Sequence, residues 1–139
     1  MNVDQLKEEL LQDEGMVLHG YNDHLGYLTI GVGRLIDERR GGGITKEEAF
    51  YLLENDIGKV IVALRSKLPF WNKLNDTRQR ALINMAFQMG VAGLMGFKKM
   101  LWAIERGNWD LAHAEGLDSA WAGQTPKRAR RVMEMIKHG

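Results

Sequence analysis

At 139 residues, 45% hydrophobic and 27% charged, the chain has the make-up of a globular domain, single or split into two small lobes, large enough to bury a core. It has no cysteine, which excludes disulfides and thiolate metal sites, and no apolar run near the roughly 18 residues that a membrane span requires. The net charge of +1 hides an imbalance: residues 1–66 carry seven Lys/Arg against twelve Asp/Glu, whereas residues 67–139 carry twelve against six, so the C-terminal half suits a polyanion.

The first residues lack a basic segment followed by an apolar run, so no signal peptide is expected. Val3, Leu6, Leu10 and Leu11 recur at helical spacing and predict a helix from residue 3 to about 13, with Gly15 suited to the left-handed position past its end. Glu14 then lies in the last turn, where unpaired carbonyls carry partial negative charge. That field, with burial against a core, would keep its carboxyl protonated near neutral pH. Met16–Tyr21 and Leu28–Leu35 are rich in branched and aromatic residues and predict two strands, with residues 22–26 as the hairpin connection. Asp23, in the polar turn Asn22-Asp23-His24, should stay ionised. Gly20, Gly31 and Gly33 interrupt the strands, but Gly31-Val32-Gly33 is no nucleotide fingerprint, because Ile36 stands where the third glycine belongs.

Residues 36–43 read as a charged, glycine-rich loop. Thr45 with Glu48 three residues on fits a capping box. Ala49, Leu52, Leu53, Ile57, Val60, Ile61 and Leu64 then continue one apolar face to about Lys67, where Leu68-Pro69 stops it. About 20 residues of helix would span about 30 Å, enough to join two lobes. Beyond it the chain reads as short helices. Asn75-Asp76 caps Thr77–Met89, with Leu82, Met85, Ala86 and Met89 on one face and Gly90 at the end. Phe97–Arg106 is closed by Gly107, and Asn108 caps Trp109 to about Glu115. Thr125 as N-cap, with Pro126 at the first helical position, opens a last helix whose inner face is Ala129, Val132, Met133 and Ile136. The predicted class is α+β, a small antiparallel sheet near the N-terminus followed by a larger helical lobe. The four histidines (His19, His24, His113, His138) show no ligand spacing, so no metal site is expected.

Two carboxylates in different surroundings are the minimum equipment for splitting a glycosidic bond. Taken singly, Glu14 reads as a surface charge at a helix end and Asp23 as a turn-former. If the hairpin folds back as proposed, Asp23 and the Thr29 hydroxyl can hold one water between them. Attack by that water, with Glu14 protonating the leaving oxygen from the other face, is a single displacement with inversion, and places the carboxyls about 6.5–9.5 Å apart.

The segments EG (14–15), YNDHLGYLTIGVG (21–33), ITKEEA (44–49), INMAFQMG (83–90) and QTPKRARRV (124–132) occur in the order and rough spacing of the T-even bacteriophage lysozymes. The chain thus resembles the phage-type endolysin or muramidase family from about residue 3 to 138. The resemblance implies a lysozyme-like fold: a first helix plus β-sheet lobe (1–44), a connecting helix (45–67) and a helical lobe (68–139). It implies Glu14, Asp23 and Thr29 as the catalytic triad, hydrolysing the β-1,4 bond between N-acetylmuramic acid and N-acetylglucosamine of bacterial peptidoglycan. No cofactor, metal, nucleic acid or membrane insertion is implied, and the protein is expected as a monomer. It would be made in the host cytoplasm and act on the wall after release through the inner membrane.

The resemblance also places Arg128 across the cleft against the catalytic glutamate, where a cation would oppose the helix-end effect, and makes Leu35 and Phe87 cleft-lining, substrate-binding residues. Met100 and Glu115 stand where relatives have small polar groups. Arg34 replaces a histidine whose aspartate partner corresponds to Asp56, which suggests an Arg34–Asp56 ion pair. The chain looks shortened between the glycine strand and the long helix, and again near residue 66, so the family's short helix after the sheet would be lost or reduced to a loop. Three other readings compete: a catalytically silent wall-binding protein on the same fold, a helix-turn-helix nucleic-acid binder using Lys127, Arg128, Arg130 and Arg131, and a lytic transglycosylase. The last needs no water-positioning aspartate, so Asp23 favours hydrolysis.

Overall fold

The computed structural model describes the backbone of residues 1–14, 21–22, 28–30, 34–37 and 43–139, and the side chains of 1–13 and 43–139. The apolar spacing of the first segment does make a helix, α1 (Val3–Glu14). Asn2 caps it, its Oδ1 accepting from the Gln5 amide at 3.0 Å. Leu6 and Leu10, one turn apart, are fully buried.

The expected α+β architecture with a β-sheet lobe requires correction. Among the described residues helix dominates, and the strands are only two, three and four residues long: β1 (Tyr21–Asn22), β2 (Leu28–Ile30) and β3 (Arg34–Asp37). They pair antiparallel in the order β1-β2-β3. Strands usually run to about five or six residues, and pieces this short form a minimal meander rather than a lobe. The pattern overstated the strand because Leu28–Leu35 is not one element. Ile30 of β2 pairs antiparallel with Arg34 of β3, so the two belong to separate strands. The described core comes entirely from the first helix and from residues beyond 56.

Helix α2 (Lys46–Lys67) starts as the sequence requires: the Thr45 hydroxyl accepts from the Glu48 amide at 3.1 Å, and Glu48 reaches back to the Thr45 amide. Its apolar face is only partly used. Ile57 and Leu64 are buried, whereas Leu52 is 39% exposed. A 3-10 turn (Trp71–Lys73) leads to α3 (Asp76–Met95), capped by Asn75 through the Arg78 amide at 2.9 Å. Gly90 breaks α3 at φ +81°, a backbone that side-chain-bearing residues avoid, so the expected stop at this glycine is a kink followed by one more turn.

Then follow α4 (Lys98–Glu105), α5 (Trp109–Leu117), α6 (Ala120–Gln124) and α7 (Pro126–His138). Every residue from Arg80 to Ala86 is buried, because α1, α2 and α7 all pack on α3. Thr125 is a correction of detail: its hydroxyl makes no cap for α7 and donates instead to the Trp121 carbonyl at 3.0 Å. No helix among the described residues is long and apolar enough to cross a membrane.

Candidate functional site

The stripe that buries Leu6 and Leu10 continues, three residues on, to Asp13. Its side chain is only 4% exposed. A carboxylate so placed requires partners, and they come from far along the chain. Asn84 Nδ2 donates to Asp13 Oδ2 at 2.7 Å. Arg131 Nη2 donates to Oδ1, and Arg128 Nε lies 3.4 Å from Oδ2. Arg128 Nε also donates to Asn84 Oδ1 at 3.0 Å, and its Nη2 approaches the Asn84 main-chain carbonyl at 3.4 Å. The tip of α1, the centre of α3 and the start of α7 are thereby tied into one polar cluster. The other end of α1 is held similarly: Arg80 of α3, 5% exposed, pairs with Glu9 and with Asp76 at 2.8 Å, and Asp76 also accepts from the Asn2 amide. Burial works to raise the Asp76 carboxyl, but hydrogen bonds from Arg80 and Asn2, with the charges of Arg80 and the N-terminus, hold it below its ordinary value.

The Asp13 cluster opens on a groove of about 610 Å³, also lined by Gln12, Gln88, Thr125 and Lys127. Gln88 belongs as well to a second groove of about 740 Å³, between α3 and α4 on one side and α5 and α6 on the other. Trp121 Nε1 donates to Gln88 Oε1 at 2.8 Å, and Phe97 meets the Trp121 ring edge-on at 6.0 Å. Met100 and Glu115 both line this second groove, beside Lys98, Asp118 and Gln124. No group of three or more His, Asp or Glu among the described residues is placed to hold a metal.

Glu14 is the last residue of α1, next to Asp13. Its side chain, the whole of Asp23 and the side chains of Thr29 and Leu35 lie outside the described residues. Their backbones are partly placed: Thr29 of β2 is opposite both Tyr21 and Leu35. Phe87 is half-buried against the core. Arg128 is not on a solvated face; its side chain is 11% exposed. With Arg128 and Arg131 both engaged by Asp13, two of the four basic residues invoked for a nucleic-acid reading are committed internally. The Arg34–Asp56 pair involves a side chain outside the described residues. Asp13 and Asn84 were not singled out from sequence, although the spacing of Leu6, Leu10 and Asp13 was there to be read.

The phage lysozyme family matches residues 11–134, a span that runs from the tip of α1 through Arg128 and Arg131. The chain belongs to that family. It is 38% identical to the pre-baseplate central spike protein Gp5 of Enterobacteria phage T4, over 96% of this chain but only 28% of that protein. It is 34% identical to probable T4-type lysozyme 2 of Dictyostelium discoideum, over 99% of this chain and 96% of that one. A third relative, the peptidoglycan hydrolase gp36 of Pseudomonas phage phiKMV, is 30% identical over 94% of this chain and 15% of its own length. The Dictyostelium alignment runs over 167 positions against the 139 residues of this chain, so that relative carries segments absent here. The stretch between β3 and α2, where a shortening is expected, falls largely on residues outside those described.

Proposed function

We propose that this member of the phage lysozyme family is a peptidoglycan hydrolase, cleaving the β-1,4 bond between N-acetylmuramic acid and N-acetylglucosamine with inversion. What carries the reading is the family match over residues 11–134, which takes in Glu14, Asp23, Thr29 and Arg128. The names of two kinds of relative, T4-type lysozyme and peptidoglycan hydrolase, support the substrate class. Glu14, at the negative end of the α1 dipole, serves as general acid to the leaving oxygen. Asp23 and the Thr29 hydroxyl hold the attacking water on the opposite face of the sugar. Leu35 and Phe87 line the cleft, and the cation of Arg128 lies beside the acid. The protein acts as a monomer, made in the host cytoplasm and reaching the wall after release through the inner membrane.

Purified protein should clear outer-membrane-permeabilised Gram-negative cells, Glu14→Gln should abolish clearing, and the product should be the α-anomer. Undiminished lysis by Glu14→Gln would remove that residue from the mechanism. A 1,6-anhydro product would move the enzyme to the transglycosylases, and wall binding without lysis would leave a silent binder.

A further inference from the structure

Asn84 is 1% exposed, does not line the groove, and uses both ends of its side chain on charged partners. Its Nδ2 donates to Asp13 at 2.7 Å and its Oδ1 accepts from Arg128 Nε at 3.0 Å. Exchanging the two ends of the amide would set a carbonyl against a carboxylate and an NH2 against a guanidinium, so its neighbours fix its orientation. Asp13 has Arg131 as a second, charged donor, and Asn84 is therefore not needed merely to satisfy that carboxylate. For Arg128, Asn84 supplies two acceptors from one residue, its Oδ1 and its main-chain carbonyl. An arginine side chain is rich in rotamers, and two acceptors on a rigid, buried helix help to restrain it.

From this geometry we infer that Asn84 is a positioning residue: it touches no substrate and fixes where the positive charge of Arg128 lies at the tip of α1. Its kinetic consequence rests on the hydrolase reading; its effect on Arg128 does not. Displacing a group by about 1 Å from a productive arrangement can lower a rate by about 100-fold. Loss of the link should therefore appear in kcat rather than in KM.

The test uses the full chain with Asn84→Ser, Asn84→Asp and the charge-relocating double variant Asp13→Asn/Asn84→Asp. The Arg128 Nε–H signal in a ¹⁵N NMR spectrum, assigned by its loss in Arg128→Lys, should be slow to exchange in the parent and faster by at least about tenfold in Asn84→Ser. In the same variant kcat should fall by about ten- to 100-fold with KM within about twofold. Asn84→Asp should do worse, because it sets two carboxylates against each other. The double variant keeps one carboxylate and one amide with both hydrogen bonds, and should regain the Arg128 signal and most of the kcat lost by either single change.

A folded Asn84→Ser protein with unchanged Nε–H exchange and unchanged kcat would overturn the inference, as would a rise in KM alone. If Asn84→Ser does not fold, a folded double variant without the Arg128 signal overturns it equally. A parent inactive on cell walls, with the Arg128 signal responding as described, would reject the hydrolase reading and leave the positioning of Arg128 standing.

Discussion

The two halves of α7 bring basic and acidic side chains together and put them to different use. In the N-terminal half, Arg128 and Arg131 reach inward to Asp13, whose side chain is 4% exposed. In the C-terminal half, Glu134 stands 53% exposed between His113 Nε2 at 3.2 Å and His138 Nε2 at 2.7 Å. Breaking a buried pair strands a charge without water, whereas an exposed pair is screened by water and salt. The second half of α7 is secured by other means. Arg78 of α3 lies 3.6 Å over the Trp109 ring and donates to the Ile136 carbonyl at 2.7 Å and to the Lys137 carbonyl at 3.2 Å. Burial lowers the Arg78 guanidinium from its ordinary value, yet it remains a cation at the helix end whose free carbonyls attract one.

The contrast is broken most directly at Asp13. Asp13→Ala removes the acceptor of Asn84, Arg128 and Arg131 together, and should destabilise the fold by about 3–5 kcal/mol in urea denaturation. Arg131, 38% exposed, can turn to water, so the lower end of that range is expected. A loss below about 1 kcal/mol would place this cluster with the exposed pairs. Next in size comes packing between α5 and α7. A Cβ on Gly116 would fall 2.1 Å from Met133 Sδ, and Met133 is completely buried. Gly116→Ala should cost about 1–3 kcal/mol, read as a lower urea midpoint. Relief of that penalty in Gly116→Ala/Met133→Leu would show that the clash, and not the helix backbone, is responsible.

What could be read from the sequence follows the range of the interactions. The capping box of Thr45 and Glu48 and the caps at Asn75 and Asn108 were all legible, because each is complete within three residues. The partners of Asp13 were not, since Asn84 and Arg131 lie 71 and 118 positions away, and only its place on the stripe of Leu6 and Leu10 marks it. Asn84, between Ile83 and Met85, lay outside the apolar stripe read for α3, and burial of residues 80–86 on every side is a tertiary fact. Near the N-terminus the branched residues of Leu28–Leu35 read as one strand, whereas Ile30 and Arg34 pair with each other from two antiparallel strands. Glu14, Asp23 and Thr29 were singled out by family resemblance together with the local character of a helix end and a turn. Arg128 was placed beside the acid by resemblance alone, and nothing in its sequence neighbourhood distinguishes it from Lys127 or Arg130.

The smallest expected effect is the most selective. Hydrogen bonds from His113 and His138 hold the Glu134 carboxyl below its ordinary value, against a weaker opposing effect of burial. A carboxyl lowered in the folded state stabilises fully above its unfolded pKa, about 4.3, and that contribution is lost as pH falls through the lower folded value. The stability difference between the parent and Glu134→Gln should therefore be present at pH 5–6 and vanish on acidification, while about 1 M salt should shrink it. Asp76 is lowered too and gives the parent an acid-sensitive term of the same sign, but it is common to both proteins and cancels in the difference. Asp13→Asn measured in the same salt series should respond far less, since its partners shield it from solvent ions. Equal salt sensitivity at the two positions would mean that water reaches Asp13 as freely as Glu134, and the two halves of α7 would then differ in name only.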